Sequence, residues 1–271
     1  MQMCRNSLKS LDCRMVMAGF VRLVDSMPRE NLDAAIVQAA RVSYGAGTKK
    51  TSDDRALIRY LMRHRHTTPF EMVEFKFHIK CPIFVARQWM RHRTASVNEI
   101  SARYSEMPDE FFLAEQFRSQ STSNRQLSEQ PLDPESNESA RYVQSYSCFD
   151  SYRSYQKLLN IGCGRELART VLPVSTMTEF YWKVNLHNLL HFLELRMDTR
   201  AQKEIRDYAI QIWDMILPLV PFTCEAFLDF RINAVTLTAP EIQAIQSGSE
   251  TIPGTGENAE FQLKKVRVGL S

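Results

Sequence analysis

Apolar and polar positions alternate most regularly over residues 73–80, where Val73, Phe75, Phe77 and Ile79 interleave with Glu74, Lys76, His78 and Lys80. A period of two predicts a strand with one buried and one solvated face. Thr176–Val184 alternates well enough for a second strand. Helical spacing dominates elsewhere. Leu32, Ile36, Val37 and Ala40 predict a helix within 30–44, which Gly45 and Gly47 break. Ser52 or Asp53 can cap a helix running to about Arg65, with Leu57, Ile58, Leu61 and Met62 inward. His66-Thr67-Thr68-Pro69 ends it, and Pro82 suits the first turn of a helix over 82–93. Further helices are expected at about 138–160, at 164–171 before Pro173, and over Asn185–Met197, Ala201–Leu217 and Phe222–Ile232. Residues 116–140, rich in serine and glutamine, carry almost no apolar period and read as a mobile surface loop. The stretch from Gly248, rich in Gly, Ser and Thr, reads as a poorly ordered tail. There is no internal repeat. Long helices with few strands, and no regular βαβ alternation, predict an α+β fold.

Composition narrows the classes. The chain has 271 residues, 44% hydrophobic and 24% charged, which is ordinary globular usage and excludes wholesale disorder. A net charge of +3 is too small to suggest a dedicated nucleic-acid binder. Only nine glycines occur, and Gly248, Gly254, Gly256 and Gly269 crowd the C-terminal end, so a glycine-rich phosphate loop is nearly excluded. Gly162-Cys163-Gly164 opens like a dinucleotide fingerprint, but Leu167 stands where its third glycine belongs. The six cysteines (Cys4, Cys13, Cys81, Cys148, Cys163 and Cys224) are scattered without a CxxC, so reduced thiols in a cytoplasmic protein are expected. The apolar run Val16–Val21 is too short for a signal sequence, and no stretch approaches the ~20 apolar residues of a membrane span.

The densest polar cluster runs from Arg91 to Tyr104: Arg91-His92-Arg93-Thr94-Ala95-Ser96-Val97-Asn98-Glu99-Ile100-Ser101-Ala102-Arg103-Tyr104. Arginine offers a planar fork that matches phosphate or carboxylate oxygens. On a continuing helix Arg91 and Arg93 would point about 200° apart. Either the chain leaves the helix here, or the two arginines serve two ligands. The bland alternative is a solvated basic helix end. His187 and His191, four apart, share a helix face, with Asn188 and Arg196 at related offsets. Without an HExxH pattern or a cysteine partner nearby, no metal site is expected there. Arg165 and Arg169 lie one turn apart before Pro173, and His64–Glu71 is a polar helix-to-strand junction.

Together these segments resemble the flavin-dependent thymidylate synthases. Their signature RHRxxSxNExSxRY is present without a gap from Arg91 to Tyr104, supported by His66–Glu71, Arg169–Pro173 and the Asn185–Arg196 segment. The resemblance runs from roughly Arg41 to Phe227. It places a synthase domain at 31–235, between an N-terminal extension (1–30) and a C-terminal tail (236–271). It implies mixed helices around a small antiparallel sheet, and a homotetramer with active sites shared between subunits. It further implies FAD as cofactor, NADPH as reductant, 5,10-methylenetetrahydrofolate as carbon donor, and dUMP converted to dTMP. Carried over by position, Thr68, Arg91, His92, Arg93, Glu99, Asn185, His187 and His191 are expected at the flavin. Gln88, Trp89, Met90, Arg91, Glu99, Ile100, Ser101, Arg103, Arg169 and Arg196 are expected at dUMP, with Arg196 activating the pyrimidine. His191 stands where relatives also carry Asn, and Arg200 where many carry His, so Arg200 receives no role. One rival is an RNA- or single-strand-binding protein using Arg91, Arg93 and Arg103 with Trp89 and Tyr104 as stacking surfaces. Another is a cysteine-nucleophile methyltransferase, which Cys81-Pro82 and the lack of Pro-Cys-His disfavour.

Overall fold

The structure, a computed structural model, describes residues 14–16, 19–44, 53–122 and 128–270. Cys4, Cys13, Gly45, Gly47 and Ser52 lie outside them. Along the chain come β1 (Arg14–Val16), β2 (Phe20–Met27), α1 (Leu32–Arg41), α2 (Asp54–Arg63), the single turn α3 (Thr68–Glu71), β3 (Glu74–Pro82), α4 (Ile83–Trp89) and β4 (Ser96–Glu99). Then follow β5 (Glu110–Phe112), β6 (Arg118–Gln120), β7 (Ser128–Pro131), α5 (Pro134–Asn160), α6 (Arg165–Ala168) and β8 (Met177–Asn185). The chain continues through α7 (Leu186–Arg196), α8 (Lys203–Ile216), α9 (Pro221–Phe227), α10 (Ala239–Ser247) and α11 (Thr255–Val268).

The expected α+β class holds. An antiparallel sheet in the order β2-β3-β8-β4 forms the centre. As the alternation requires, Phe75, Phe77 and Ile79 of β3 share a buried face with Phe180, Trp182 and Val184 of β8. Glu74, Lys76, His78 and Lys80 take the other face, where Lys183 pairs with Glu74 at 2.8 Å and His78 stacks on Tyr181 at 4.8 Å. Helices α4, α7 and α8 close the buried face, α8 contributing Ile205, Tyr208, Ala209, Ile212 and Ile216. Gly19 precedes β2 at a point of close approach. Its N–H donates to the Tyr208 hydroxyl at 3.0 Å, and a Cβ there would lie 1.8 Å from the Lys80 carbonyl oxygen.

Asp33 ties α1 to the start of α9. Its buried carboxylate accepts from the Phe222 N–H at 2.8 Å and the Thr223 hydroxyl at 2.6 Å, although burial raises its pKa. Asp33→Ala leaves those donors without an acceptor, and should lower stability by about 1–3 kcal/mol in a denaturant melt.

Three segments differ from expectation. Residues 20–27, set in an N-terminal extension, form an edge strand of the central sheet. Residues 116–140 are not a loop throughout. Strands β6 and β7 pair across them, and α5 begins at Pro134, where Asp133 accepts from the Glu135 and Ser136 N–H groups. The expected C-terminal tail holds two helices. Thr238 and Glu241 form a capping box on α10, Gly248 ends it at positive φ, and Phe261 of α11 is buried with Ala244 and Ile252. Several boundaries also move inward: α2 ends at Arg63, and α9 passes into a π-helical turn over Leu228–Ile232.

Candidate active site

Strand β3 runs through Pro82 directly into α4, which ends at Trp89 rather than continuing to 93. Residues 96–99 pair with the edge of β8, and that pairing takes the chain out of the helix. The turn is closed by the Arg91 N–H on the Gln88 carbonyl and the His92 N–H on the Trp89 carbonyl. Arg91 and Arg93 are thereby released from opposite helix faces, the first of the two possibilities open in the sequence.

The facing wall is α7. Asn185 caps it, accepting from both the backbone and side-chain N–H of Asn188 at 2.9 Å. Leu186, Leu189, Leu190, Phe192 and Leu193 enter the core, which turns His187, Asn188, His191 and Arg196 outward. Gln88, Arg91, His92, Arg93, Thr94, Asn188, His191 and Arg196 line a cleft of about 860 Å³. It shares Thr94, Asn188 and His191 with an adjoining pocket of about 360 Å³ that adds Arg65, His66, His187, Glu194 and Arg231. Thr68 lines a neighbouring groove of about 1010 Å³ that shares Leu61, His66 and Thr67 with that pocket.

Arg196 is half-buried. Its Nε donates to His92 Nε2 at 3.0 Å and its Nη2 to the Gln88 carbonyl at 3.4 Å. It has no carboxylate partner among the described residues: Asp198 is taken by Arg200, at 2.9 and 3.0 Å. Burial and the nearby Arg91 both lower the pKa of Arg196. Burial, then Arg196 and His191, hold the His92 imidazole down to about 4. His92 is therefore neutral, with Nε2 as acceptor and Nδ1 carrying the proton. An NMR titration should show the His92 ring unprotonated down to about pH 5, with His92→Gln assigning the resonance. The folded value lies below the ordinary 6.5, so the unfolded chain takes up its proton first on acidification. The stability linked to neutral His92 is thus full above pH 6.5 and falls as the pH drops toward 4.

Other expected site residues sit differently. The Trp89 indole is enclosed in the core, and Met90 is partly buried against it. Glu99 accepts from the Thr178 hydroxyl, while the exposed Ile100 binds the Glu179 carbonyl through its N–H. Ser101 accepts from the Arg103 N–H, Arg103 pairs with Glu166 at 3.6 Å, and Arg169 donates to the Glu166 carbonyl at 3.2 Å. Arg103 and Arg169 thus gather around Glu166, apart from the residues lining the cleft. Thr94, Glu194, Arg65 and Arg231 line the cleft and pocket without having been singled out for it, and Asn188 had been noted only for its spacing. Among the described residues no group of three or more His, Cys, Asp or Glu could hold a metal ion. No helix there is long and apolar enough to cross a membrane.

Cationic and neutral donors outnumber carboxylates along the cleft, the composition of a site for a phosphorylated ligand. The family described as thymidylate synthase complementing protein matches residues 22–222. A flavin-dependent thymidylate synthase of Dictyostelium discoideum is 54% identical over 256 residues, covering 91% of this chain and 84% of its own. One from Thermus thermophilus is 55% identical over 229 residues, covering 84% of this chain and 82% of its own. Among solved structures, the UMP/dUMP methylase PolB from Streptomyces cacaoi, bound with 5-Br UMP, aligns at a TM-score of 0.73. It is 36% identical, over 81% of this chain and 97% of its own. The chain belongs to the family of flavin-dependent thymidylate synthases.

Proposed function

We propose that this chain methylates dUMP to dTMP with FAD as its cofactor, 5,10-methylenetetrahydrofolate as carbon donor and NADPH as reductant. The observation that carries the reading is Arg196: a half-buried guanidinium without a counter-ion among the described residues, in the same cleft as Arg91 and Arg93. Such a site is completed by an anion.

The residues present fit a flavin dinucleotide. Arg91 and Arg93 offer charge to a pyrophosphate, His92, His187 and His191 offer ring nitrogens, and Leu61, Met62, Phe70 and Phe227 give the adjoining pocket an apolar wall. Bound there and reduced by NADPH, the flavin would supply the hydride that completes the new methyl group. The chain's own part is to bind and polarise. Arg196 keeps its proton and presents fixed donors to charge developing across the pyrimidine N3 and its neighbouring carbonyl oxygens. Arg103 and Arg169 are suited to a nucleotide phosphate, yet lie around Glu166 rather than at the cleft. Their separation supports the homotetramer with shared sites, in which one subunit's phosphate-binding arginines complete another's cleft.

Three of the four described thiols are unsuited to act as a nucleophile. Cys81, Cys148 and Cys224 are buried, and burial raises all three thiols, Cys224 to about 12. A single-strand binder loses a stacking surface, because the Trp89 ring is enclosed. The deciding experiment is the spectrum and turnover of the purified protein. It should be yellow, release FAD on denaturation, and form dTMP from dUMP only with methylenetetrahydrofolate and NADPH. A colourless protein that takes up no FAD and forms no dTMP overturns the reading.

A further inference from the structure

A chain of hydrogen bonds leads out of the cleft from Gln88. Arg118 on β6 donates to Glu204 Oε1 at 2.9 Å, and Gln202 Nε2 donates to Glu204 Oε2 at 2.8 Å. Gln88 Nε2 then donates to Gln202 Oε1 at 2.6 Å. Arg118, Gln202 and Glu204 do not line the cleft; they line a separate cavity of about 680 Å³. The Arg118–Glu204 pair is well enclosed, its side chains 21% and 14% exposed. Burial pushes the Glu204 carboxyl up and the bond from Arg118 pulls it down, with a net lowering.

The anchor gives the chain a direction. An ionised carboxylate only accepts, so Gln202 must turn its amide N–H toward Glu204 and its oxygen toward Gln88. Gln88 must in turn give its N–H to Gln202. Flipping either amide sets two acceptors or two donors against each other, at the cost of a hydrogen bond. What remains of Gln88 for the cleft is its side-chain oxygen, which has no partner among the described residues.

We propose that Arg118, Glu204 and Gln202 are positioning residues that hold Gln88 with its side-chain oxygen toward the cleft, as an acceptor for an N–H or O–H of the nucleotide substrate. The inference rests on the function proposed above, and it makes the β6–β7 hairpin a part of substrate recognition.

Replacing the anchor tests it. In Glu204→Gln, Arg118 still holds the residue's oxygen, so the new amide faces Gln202 with its N–H. Gln202 reverses, Gln88 reverses, and the cleft meets a donor in place of an acceptor. Adding Gln202→Glu restores a carboxylate between two donors and with it the original direction. Glu204→Gln should raise the KM and the calorimetric Kd for dUMP by roughly three- to tenfold, the scale of one neutral hydrogen bond. Its kcat should stay within twofold of wild type. Gln202→Glu/Glu204→Gln should return both constants to within twofold of wild type. A structural role alone predicts no recovery in the double variant. The inference is overturned if the single variant binds dUMP as wild type does, or if the double variant stays as weak as the single one. A wild-type chain that binds no dUMP overturns the proposed function, and this inference with it.

Discussion

Arg196→Ala is expected to purify with its flavin and to lose thymidylate formation by at least ~10²-fold, the scale for removing one preorganised charge stabiliser. C5 of deoxyuridylate must become more nucleophilic to accept a one-carbon unit. Where no thiol adds to C6, electron density has to enter the ring another way. Stabilising the pyrimidine in its N3-ionised form does so. Among the described residues Arg196 commits only two N–H groups, Nε to His92 and one on Nη2 to the Gln88 carbonyl. Three of its five remain for a ligand. The competing account, a surface arginine paired with Asp198 or Glu194, does not describe this side chain. Arg200 holds Asp198 through both oxygens, and Arg196 forms no salt bridge to Glu194. Arg196→Lys should be nearly as damaging as Ala. Lysine keeps a charge but lacks the planar fork that reaches His92 and the ligand together. Product formation and NADPH oxidation are to be measured separately. NADPH oxidation with oxygen as acceptor should persist in both variants while dTMP formation falls. A loss of only a few-fold in both would remove Arg196 from the chemistry.

The parts legible in the sequence are those whose pattern answers to a buried face. Strands β3 and β8 bury one face each, and their alternation shows it. Strand β4 was invisible because all four of its residues are exposed; only its pairing with β8 makes it a strand. Strand β2 carries a bulge between Leu23 and Asp25 that breaks its period. Helix α5 buries only Ser145, Cys148 and Tyr155 over 27 residues, so its first turns were lost in a serine-rich stretch, although Asp133-Pro134 is a start signal. The Arg91–Tyr104 signature identified the family, but motif and geometry are different information. The signature could not show that Arg103 and Arg169 meet at Glu166, nor that Asn185 spends its side chain on a helix cap. Linear spacing carries no trace of the Gln88–Gln202 contact, made across 114 positions.

Trp89 is where the two kinds of information part most clearly, and its truncation should produce the largest loss of stability. It stands between Gln88 and Arg91, and its position alone places it at the nucleotide. Its ring is 1% exposed, with Trp182, Phe180 and Phe192 at centroid distances of 5.4, 5.6 and 4.9 Å. The indole N–H has no hydrogen-bond partner among the described residues, so truncation removes packing and no polar contact seen there. The cavity would open between the sheet, α4 and α7, where several elements meet and none can collapse alone. Trp89→Ala should therefore cost about 3–5 kcal/mol. For a chain of this size that lowers the melting temperature by on the order of 10 °C. Trp89→Phe, which keeps an aromatic ring against Phe192, should lose less than half of that. Both variants, assayed well below their melting temperatures, should bind dUMP within a few-fold of wild type, because the ring does not reach the cleft. Weakened dUMP binding in Trp89→Phe at unchanged melting temperature would put the indole at the substrate after all.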